Sequence, residues 1–337
     1  TVRAYAGNHS TCEKTVHFII SDGERTLFYG LDGAWLLYAV SIGLLLLVLV
    51  AGASVNGAKR WINIAGIQFQ PSEIAKFSMI VLLARLTRTF GGDARKFRYG
   101  VLGFGAALLG ILVPLALEKH LSAIMLMGMV AVVMMFVAGT HPKWLLAGAA
   151  AAAVFVFVYI RLMGYAGDRV TAWLHPEQDP GDTGYQILQP LYAIGSGGLF
   201  GLGLGKSRQK YLYLPFQYND YIFAIIVEES GLIGSFLLML LYLSILFRSC
   251  LISSKYADYS AMLMVMGLAL MLTCQALVSM MVSVGIGPVT GQPLPLISRG
   301  GTSALVTSLY FGIIMCVARE QNELRIRQQR SIVNSQK

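Results

Sequence analysis

Charge is what this chain has least of. Asp, Glu, Lys and Arg make up 13% of its 337 residues, against about a quarter in a soluble domain. With 56% hydrophobic residues and a mean hydropathy of +0.64, that scarcity excludes an ordinary soluble globule. Cysteine is sparse as well. Cys12, Cys250, Cys274 and Cys316 show no metal-ligand spacing, and the last three lie in or beside apolar runs. Neither a metal cluster nor a disulfide framework follows from them. A complete nucleotide loop is missing. "GLFGLGLGKS" (198–207) ends like one, but Phe200 stands where G-x-x-x-x-G-K-[ST] needs glycine. That stretch reads instead as a loop lying on the bilayer through Leu199, Phe200, Leu202 and Leu204. Residues 1–33 hold no secretory signal, their longest apolar run being "VHFII". The chain starts at Thr1 rather than Met, as a fragment or processed start would.

What is present is a series of long apolar runs. A spanning helix needs about 20 mainly apolar residues. Such runs occur near 34–53, 72–90, 99–117, 120–140, 143–164, 221–249, 259–285 and 303–319. Helices are the expected form, because lipid offers no partner to bare backbone groups and barrel-type alternation is absent. The fold class expected is therefore an all-α polytopic integral membrane protein with about eight transmembrane helices. A large loop spans 165–219. Around the transmembrane domain (34–320) lie an N-terminal segment (1–33) and a basic tail (321–337).

The net charge of +9 sets orientation rather than pointing to nucleic acid. Arg88, Arg95, Lys96 and Arg98, then Arg248 and Lys255, then Arg319, Arg325, Arg327 and Arg330 fall on one side if the spans alternate. That side is cytoplasmic, so 1–33 and the tail lie inside. The 54–71, 165–219 and 286–302 connections and the "EKHLS" turn lie outside. Yet the outer segments carry Lys59, Arg60, Arg169, Lys206, Arg208, Lys210 and Arg299, with Lys119 at an outer turn and Lys76 one turn into a span. An anionic ligand outside the membrane explains them, and clustered Arg and Lys suit a diphosphate. Snorkelling, or pairing with Asp168, Glu177, Asp179 and Asp182, is an equal alternative for Arg169. "KSRQK" (206–210) has no acid within nine residues and favours the ligand.

Three motifs carry the remaining chemistry. "QPSEIAK" (70–76) starts a helix, with Glu73 in its first turn and Lys76 three residues on. Each charge costs roughly 2.5–3.5 kcal/mol in a span, which argues for a polar cavity. "PLISRGGTS" (295–303) offers Gly300 and Gly301 for positive φ, Thr302 or Ser303 as a cap, and N–H groups that can hold an anion. "FQYNDYIFAIIVEES" (216–230) puts Asp220 at the outer boundary. Glu228 and Glu229 follow roughly 12–14 Å deeper, as bundle-interior groups protonated or paired with a cation. Asp220 can be a general base or a helix N-cap. Glu118 and His120 lie at a tight outer turn, where His120 can be a ligand or a proton carrier, though such a residue is more often a plain polar part of the turn.

"NGAKRWINIAGIQFQPSEIAK" (56–76), "GYQILQPLYAIGSGGLFGLGLGKSRQKYLYLP" (184–215), "NDYIFAIIVEESGLIG" (219–234) and "GQPLPLISRGGTS" (291–303) resemble the SEDS family of shape, elongation, division and sporulation proteins. The likeness is greatest to its FtsW and SpoVE branch and runs over about 34–320. It implies ten spans, the first one read here being the family's third, whereas residues 1–33 look unlike family sequence. It implies a peptidoglycan glycosyltransferase of the bacterial cytoplasmic membrane, working on the extracytoplasmic face in division or sporulation. The substrate implied is lipid II, a disaccharide-pentapeptide on undecaprenyl diphosphate. The essential acid of D-[FY]-I-F-A falls on Asp220, the arginine of R-W-I on Arg60, and the pair of S-E-x-x-K on Glu73 and Lys76. Substrate contacts are then expected from Arg60, Glu73, Lys76, Lys206, Arg208, Lys210, Ser298, Gly300 and Gly301. The resemblance also implies a class B penicillin-binding protein transpeptidase as partner, divisome or sporulation proteins around it, and Mg2+ or Mn2+ as supporting ion, with no metal ligand identified. A lipid II flippase and a non-catalytic scaffold for the transpeptidase are the alternative functions.

Overall fold

A computed structural model of the chain describes residues 2–6, 16–21, 26–30, 33–55, 58–64, 67–162, 164–178, 183–210, 218–254 and 259–335. Cys12, Asp179, Asp182, Lys255 and the "YLYLP" part of one motif lie outside them. Two antiparallel three-stranded sheets occur. β1 (Val2–Ala6), β2 (Val16–Ser21) and β3 (Thr26–Gly30) precede the helices; β4 (Ala53–Val55), β5 (Ala58–Ile64) and β6 (Ile67–Phe69) separate the first two helices. The helices are α1 (Ala34–Ala51), α2 (Pro71–Phe90), α3 (Phe104–Leu117), α4 (Leu121–Val137), α5 (Pro142–Leu162), α6 (Gly164–Leu174), α7 (Thr183–Gly197), α8 (Ile222–Ser253), α9 (Tyr259–Ser283) and α10 (Gly301–Ser335).

All of these except α6 and α7 coincide with the expected spans. Among the described residues, six stretches are long and apolar enough to cross a membrane: those of α1, α3 with the turn before it, α5, α8, α9 and the first part of α10. α4 is shorter, at 17 residues, and α2 carries Glu73, Lys76, Arg85 and Arg88. Both are held by packing against α9. That helix is apolar on every side and occupies the centre, with 67% of its spanning residues buried against 17% for α8. Met79, Ile80 and Leu83 of α2 and Met127, Val130 and Met134 of α4 join Leu263, Leu268 and Met271 of α9 in one core. A side chain at Gly267 would lie 2.8 Å from Met134 Sδ and 2.9 Å from Ile80 Cγ2. The absent side chain lets the three helices approach closely.

Two expectations change, and one connection gains structure. The 54–71 connection, expected only to lie outside, carries the antiparallel strands β4 to β6, and the signal for it was in the sequence. Asn56–Gly57, between β4 and β5, is a hairpin dipeptide. The 165–219 loop is largely helical, as α6, α7 and a short turn at Pro176–Gln178. Finally, α8 is broken at Gly231 (φ 71°, ψ −171°). Glu228 and Glu229 therefore belong to a short helical segment ahead of the long membrane helix. The 198–203 backbone folds onto this break: Leu202 N and Gly203 N donate to Glu228 O and Glu229 O at 2.9 and 3.0 Å, and Leu232 N to Gly198 O at 3.0 Å. A side chain at Gly231 would collide with the Leu199 carbonyl, at a φ/ψ reserved for glycine. Gly231→Ala is expected to destabilise the protein by about 1–3 kcal/mol or more, read as a fall in melting temperature in detergent.

Candidate functional site

The segment 285–300, between α9 and α10, has no regular backbone pairing because Pro288, Pro293 and Pro295 interrupt it. Side chains from the surrounding helices satisfy its carbonyls instead. Trp173 Nε1 and an Arg169 guanidinium nitrogen, both of α6, donate to Gly285 O and Val289 O at 2.7 and 2.8 Å. Ser122 Oγ of α4 donates to Thr290 O at 2.8 Å. Gln275 Nε2 of α9 donates to Pro293 O at 3.0 Å, and the Tyr242 hydroxyl of α8 donates to Pro295 O. Ser298 Oγ donates to Asn219 O at 2.6 Å, while Arg299 N donates to Tyr218 O at 2.8 Å. This ribbon is the wall of the site. It brings together the α3–α4 turn, the starts of α2, α8 and α10, and the end of α9. That end of the bundle lies opposite the basic 88–98 connection, hence outside the cytoplasm.

Three cations meet here. Lys76 is 1% exposed, and its Nζ donates to Glu73 Oε1 at 2.6 Å and Gln275 Oε1 at 2.7 Å. Through Gln275 the Glu73–Lys76 pair braces the Pro293 carbonyl. Arg60 of β5 donates to the carbonyl of Lys119, a turn residue with positive φ (56°). Arg169 lies beside Asp220. His120 registers all three: burial first, then Arg60, Lys76 and Arg169, hold it well below the usual imidazole range, so it is neutral. The charges of β5, α2 and α6 thus converge on one turn.

Two carboxyl groups border them in different states. Burial pushes Glu118 up to about 8 against the pull of Arg60, which keeps it mainly protonated at neutral pH. Burial pushes Asp220 up to about 6 against the pull of Arg169, which leaves it mainly ionised. Asp220 is not a cap, since the capping position of α8 is Tyr221 and no side chain caps it. Its Oδ2 lies 3.8 Å from where a side chain on Gly291 would begin, so the half-buried carboxyl faces the ribbon. Environments that separate two carboxyls in this way suit acid–base work.

The remaining expected residues sit elsewhere or are otherwise engaged. Lys210 Nζ pairs with Glu229 Oε1 at 3.0 Å, so "KSRQK" finds in space the acid it lacks in sequence. Glu228, fully buried, accepts from Ser207 Oγ, from Ser196 Oγ at 3.2 Å, and from Arg208 N and Gln209 N at 3.0 and 3.3 Å. The side chains of Lys206 and Arg208 are exposed, as are Leu199, Phe200 and Leu204; Leu202 is half-buried. Lys210 thus latches the 205–210 loop to Glu229. Ser298 is part of the ribbon's stitching. Gly300 and Gly301 do not adopt positive φ; Gly291 (66°) and Leu296 (65°) do. Thr302 does not cap α10, because its hydroxyl bonds Gln68 O at 3.1 Å and accepts from Gln70 N at 3.4 Å. Sequence reasoning left Arg169 open between a surface pair and a ligand contact, and Glu118 and His120 chiefly as turn residues. It passed over Gln275, although an amide inside the apolar run "LTCQALV" is costly unless satisfied.

The family model described as "Cell cycle protein", for FtsW, RodA and SpoVE, matches residues 31–323. The chain is 35% identical over 326 residues to the probable peptidoglycan glycosyltransferase FtsW of Geobacter sulfurreducens, covering 94% of this chain and 87% of that one. It is 36% identical to stage V sporulation protein E of Bacillus subtilis over 298 residues, 84% of this chain and 78% of that one. Its fold is similar to a chain of a peptidoglycan synthase complex that coordinates polymerization and crosslinking, with TM-score 0.73, 31% identity and coverage of 86% and 82%. It is also similar to the rod shape determining protein RodA of Thermus thermophilus, with TM-score 0.62, 29% identity and coverage of 86% and 79%.

Proposed function

This chain belongs to the FtsW, RodA and SpoVE family of cell cycle proteins, and from that premise we propose how its outer site works. The protein is a multi-pass peptidoglycan glycosyltransferase of the bacterial cytoplasmic membrane, polymerising lipid II into glycan strands and releasing undecaprenyl diphosphate. The Asp220 carboxylate takes the proton of the acceptor GlcNAc 4-hydroxyl. That oxygen attacks the donor MurNAc anomeric carbon with inversion. The bond to the diphosphate oxygen breaks, its electron pair leaving with undecaprenyl diphosphate. The fixed charges of Arg60, Lys76 and Arg169 stabilise that departing anion, and diphosphate needs no acid to leave. The proton on Asp220 then passes to water, to which the half-buried carboxyl is open.

Mg2+ or Mn2+ fits this arrangement in one form. No three His, Cys, Asp or Glu side chains gather among the described residues, so the protein would offer Asp220 as a single carboxylate, with diphosphate oxygens completing the set. Such an ion supplies charge neutralisation on the diphosphate. The working partner is a class B penicillin-binding protein that crosslinks the nascent strand, within a divisome or sporulation assembly. The likeness to a complex coordinating polymerization and crosslinking supports this.

The observation that carries the reading is an ionisable, half-buried Asp220 facing the ribbon, beside the turn where three cations converge. Its test is the pH profile of polymerisation by the full chain in proteoliposomes supplied with lipid II. A base must be deprotonated, so the rate is expected to level off above about pH 6 and to fall about tenfold per unit below it. A profile flat through that window removes Asp220 as the base. Lipid II translocation without polymer would make the protein a flippase.

A further inference from the structure

The reaction makes no use of the 198–210 loop. Gly203 and Gly205 have positive φ (102° and 78°), so the backbone doubles back on either side of Leu204. That residue stands at the tip, 86% exposed, with Phe200 80% exposed and Leu199 exposed as well. The base of the loop is fixed. Glu228 accepts from Ser207 Oγ, Arg208 N and Gln209 N, and Lys210 Nζ bonds both Glu229 Oε1 and Gly205 O. The apolar side chains are thus held outward by a frame.

What they meet follows from the break in α8. From Leu232 to Ser253 the helix extends roughly 33 Å at 1.5 Å per residue, enough to cross a hydrocarbon core of about 30 Å. Gly231 therefore lies at the outer boundary of the membrane. Leu232 N and Ile233 N donate to Gly198 O and Leu199 O at 3.0 and 3.3 Å, which puts the loop at that depth. Leu232, Ile233, Phe236 and Leu237 are themselves exposed, so the tip continues a lipid-facing surface of α8. Lys206 and Arg208 flank it with exposed side chains. Cations placed so at a bilayer boundary reach headgroup phosphates.

We propose that the 199–208 loop is a lipid-binding site. Leu199, Phe200 and Leu204 enter the acyl region of the outer leaflet, and Lys206 and Arg208 hold the phosphate of an anionic phospholipid. The reacting diphosphate is a different ligand. Its cations gather at the Asp220 end of the 222–230 helical segment, whereas the loop is tied to Glu228 and Glu229, roughly 12–14 Å further along.

The test reconstitutes the full chain carrying Phe200→Trp in phosphatidylcholine vesicles. These contain either brominated phosphatidylglycerol or brominated phosphatidylcholine at one mole fraction. Fluorescence quenching beyond that of the wild-type chain reports lipid at position 200. Phosphatidylglycerol is expected to be preferred roughly 25-fold, about fivefold for each of the two cations. Lys206→Gln and Arg208→Gln should each lower the preference about fivefold and together abolish it. Both side chains are exposed and the Arg208 N bond to Glu228 is kept, so the fold should hold. Equal quenching by the two lipids, or a preference unchanged in the double variant, overturns the headgroup site. No quenching by either overturns the membrane contact. Lipid II added at the protein's concentration should leave the preference intact; if it removes it, these cations serve the substrate and the phospholipid site falls. The readout is quenching rather than polymer, so it does not depend on the glycosyltransferase reading.

Discussion

Asp220→Asn is expected to lower lipid II polymerisation by roughly 10^2- to 10^4-fold, the range that a positioned base contributes. The change is nearly isosteric, and Asn cannot take up a proton. No hydrogen bond holds the Asp220 carboxyl among the described residues, so folding and the Gly291 wall should be little affected. The loss should therefore appear in kcat, with lipid II affinity retained. Polymer length and rate on gels, with affinity measured separately by lipid II titration, separate the two. A rate within tenfold of wild type would mean that another group accepts the proton.

Lys76→Met is expected to cost about 3–5 kcal/mol of stability, the usual consequence of stranding a buried charge. Glu73 is 3% exposed, and Lys76 is the cation bonded to it at 2.6 Å. The double variant Glu73→Gln with Lys76→Met removes both charges and should recover most of that stability, because a buried pair exchanged for neutral groups is often nearly neutral. Polymerisation should not recover. The cation proposed to stabilise the departing diphosphate would still be missing, and Gln275 would lose the partner that aligns it on Pro293. Thermal melts of the single and double variants in detergent, set beside their polymerisation rates, test both halves. Activity restored together with stability would reduce Lys76 to a structural brace.

The spans were legible because lipid imposes a length and forbids open backbone, so α1 to α5 and α8 to α10 could be read as apolar runs. Asp220 was legible as a carboxylate at a membrane boundary. The helix break at Gly231 was not, because glycine in an apolar run is common and only the 198–203 backbone laid against it requires the positive φ. The acid that pairs with Lys210 was hidden for a related reason. Glu229 lies 19 residues along the chain and meets the "KSRQK" loop where the 198–203 backbone folds onto that break. Arg169 had acids close in sequence, and nothing local announced that α6 would carry it to Val289 and Asp220. Glu118 and His120 looked like turn residues because a turn is normally wet; burial under the ribbon changes their protonation and their use.

The ribbon at 285–300 has a consequence for any attempt to move this chemistry into another scaffold. Its shape is specified by Ser122, Arg169, Trp173, Tyr242 and Gln275, which sit on α4, α6, α8 and α9. Grafted alone onto a foreign helix bundle, the segment would arrive without its pegs and collapse to an ordinary loop. The smallest transplantable part is one whole end of this bundle.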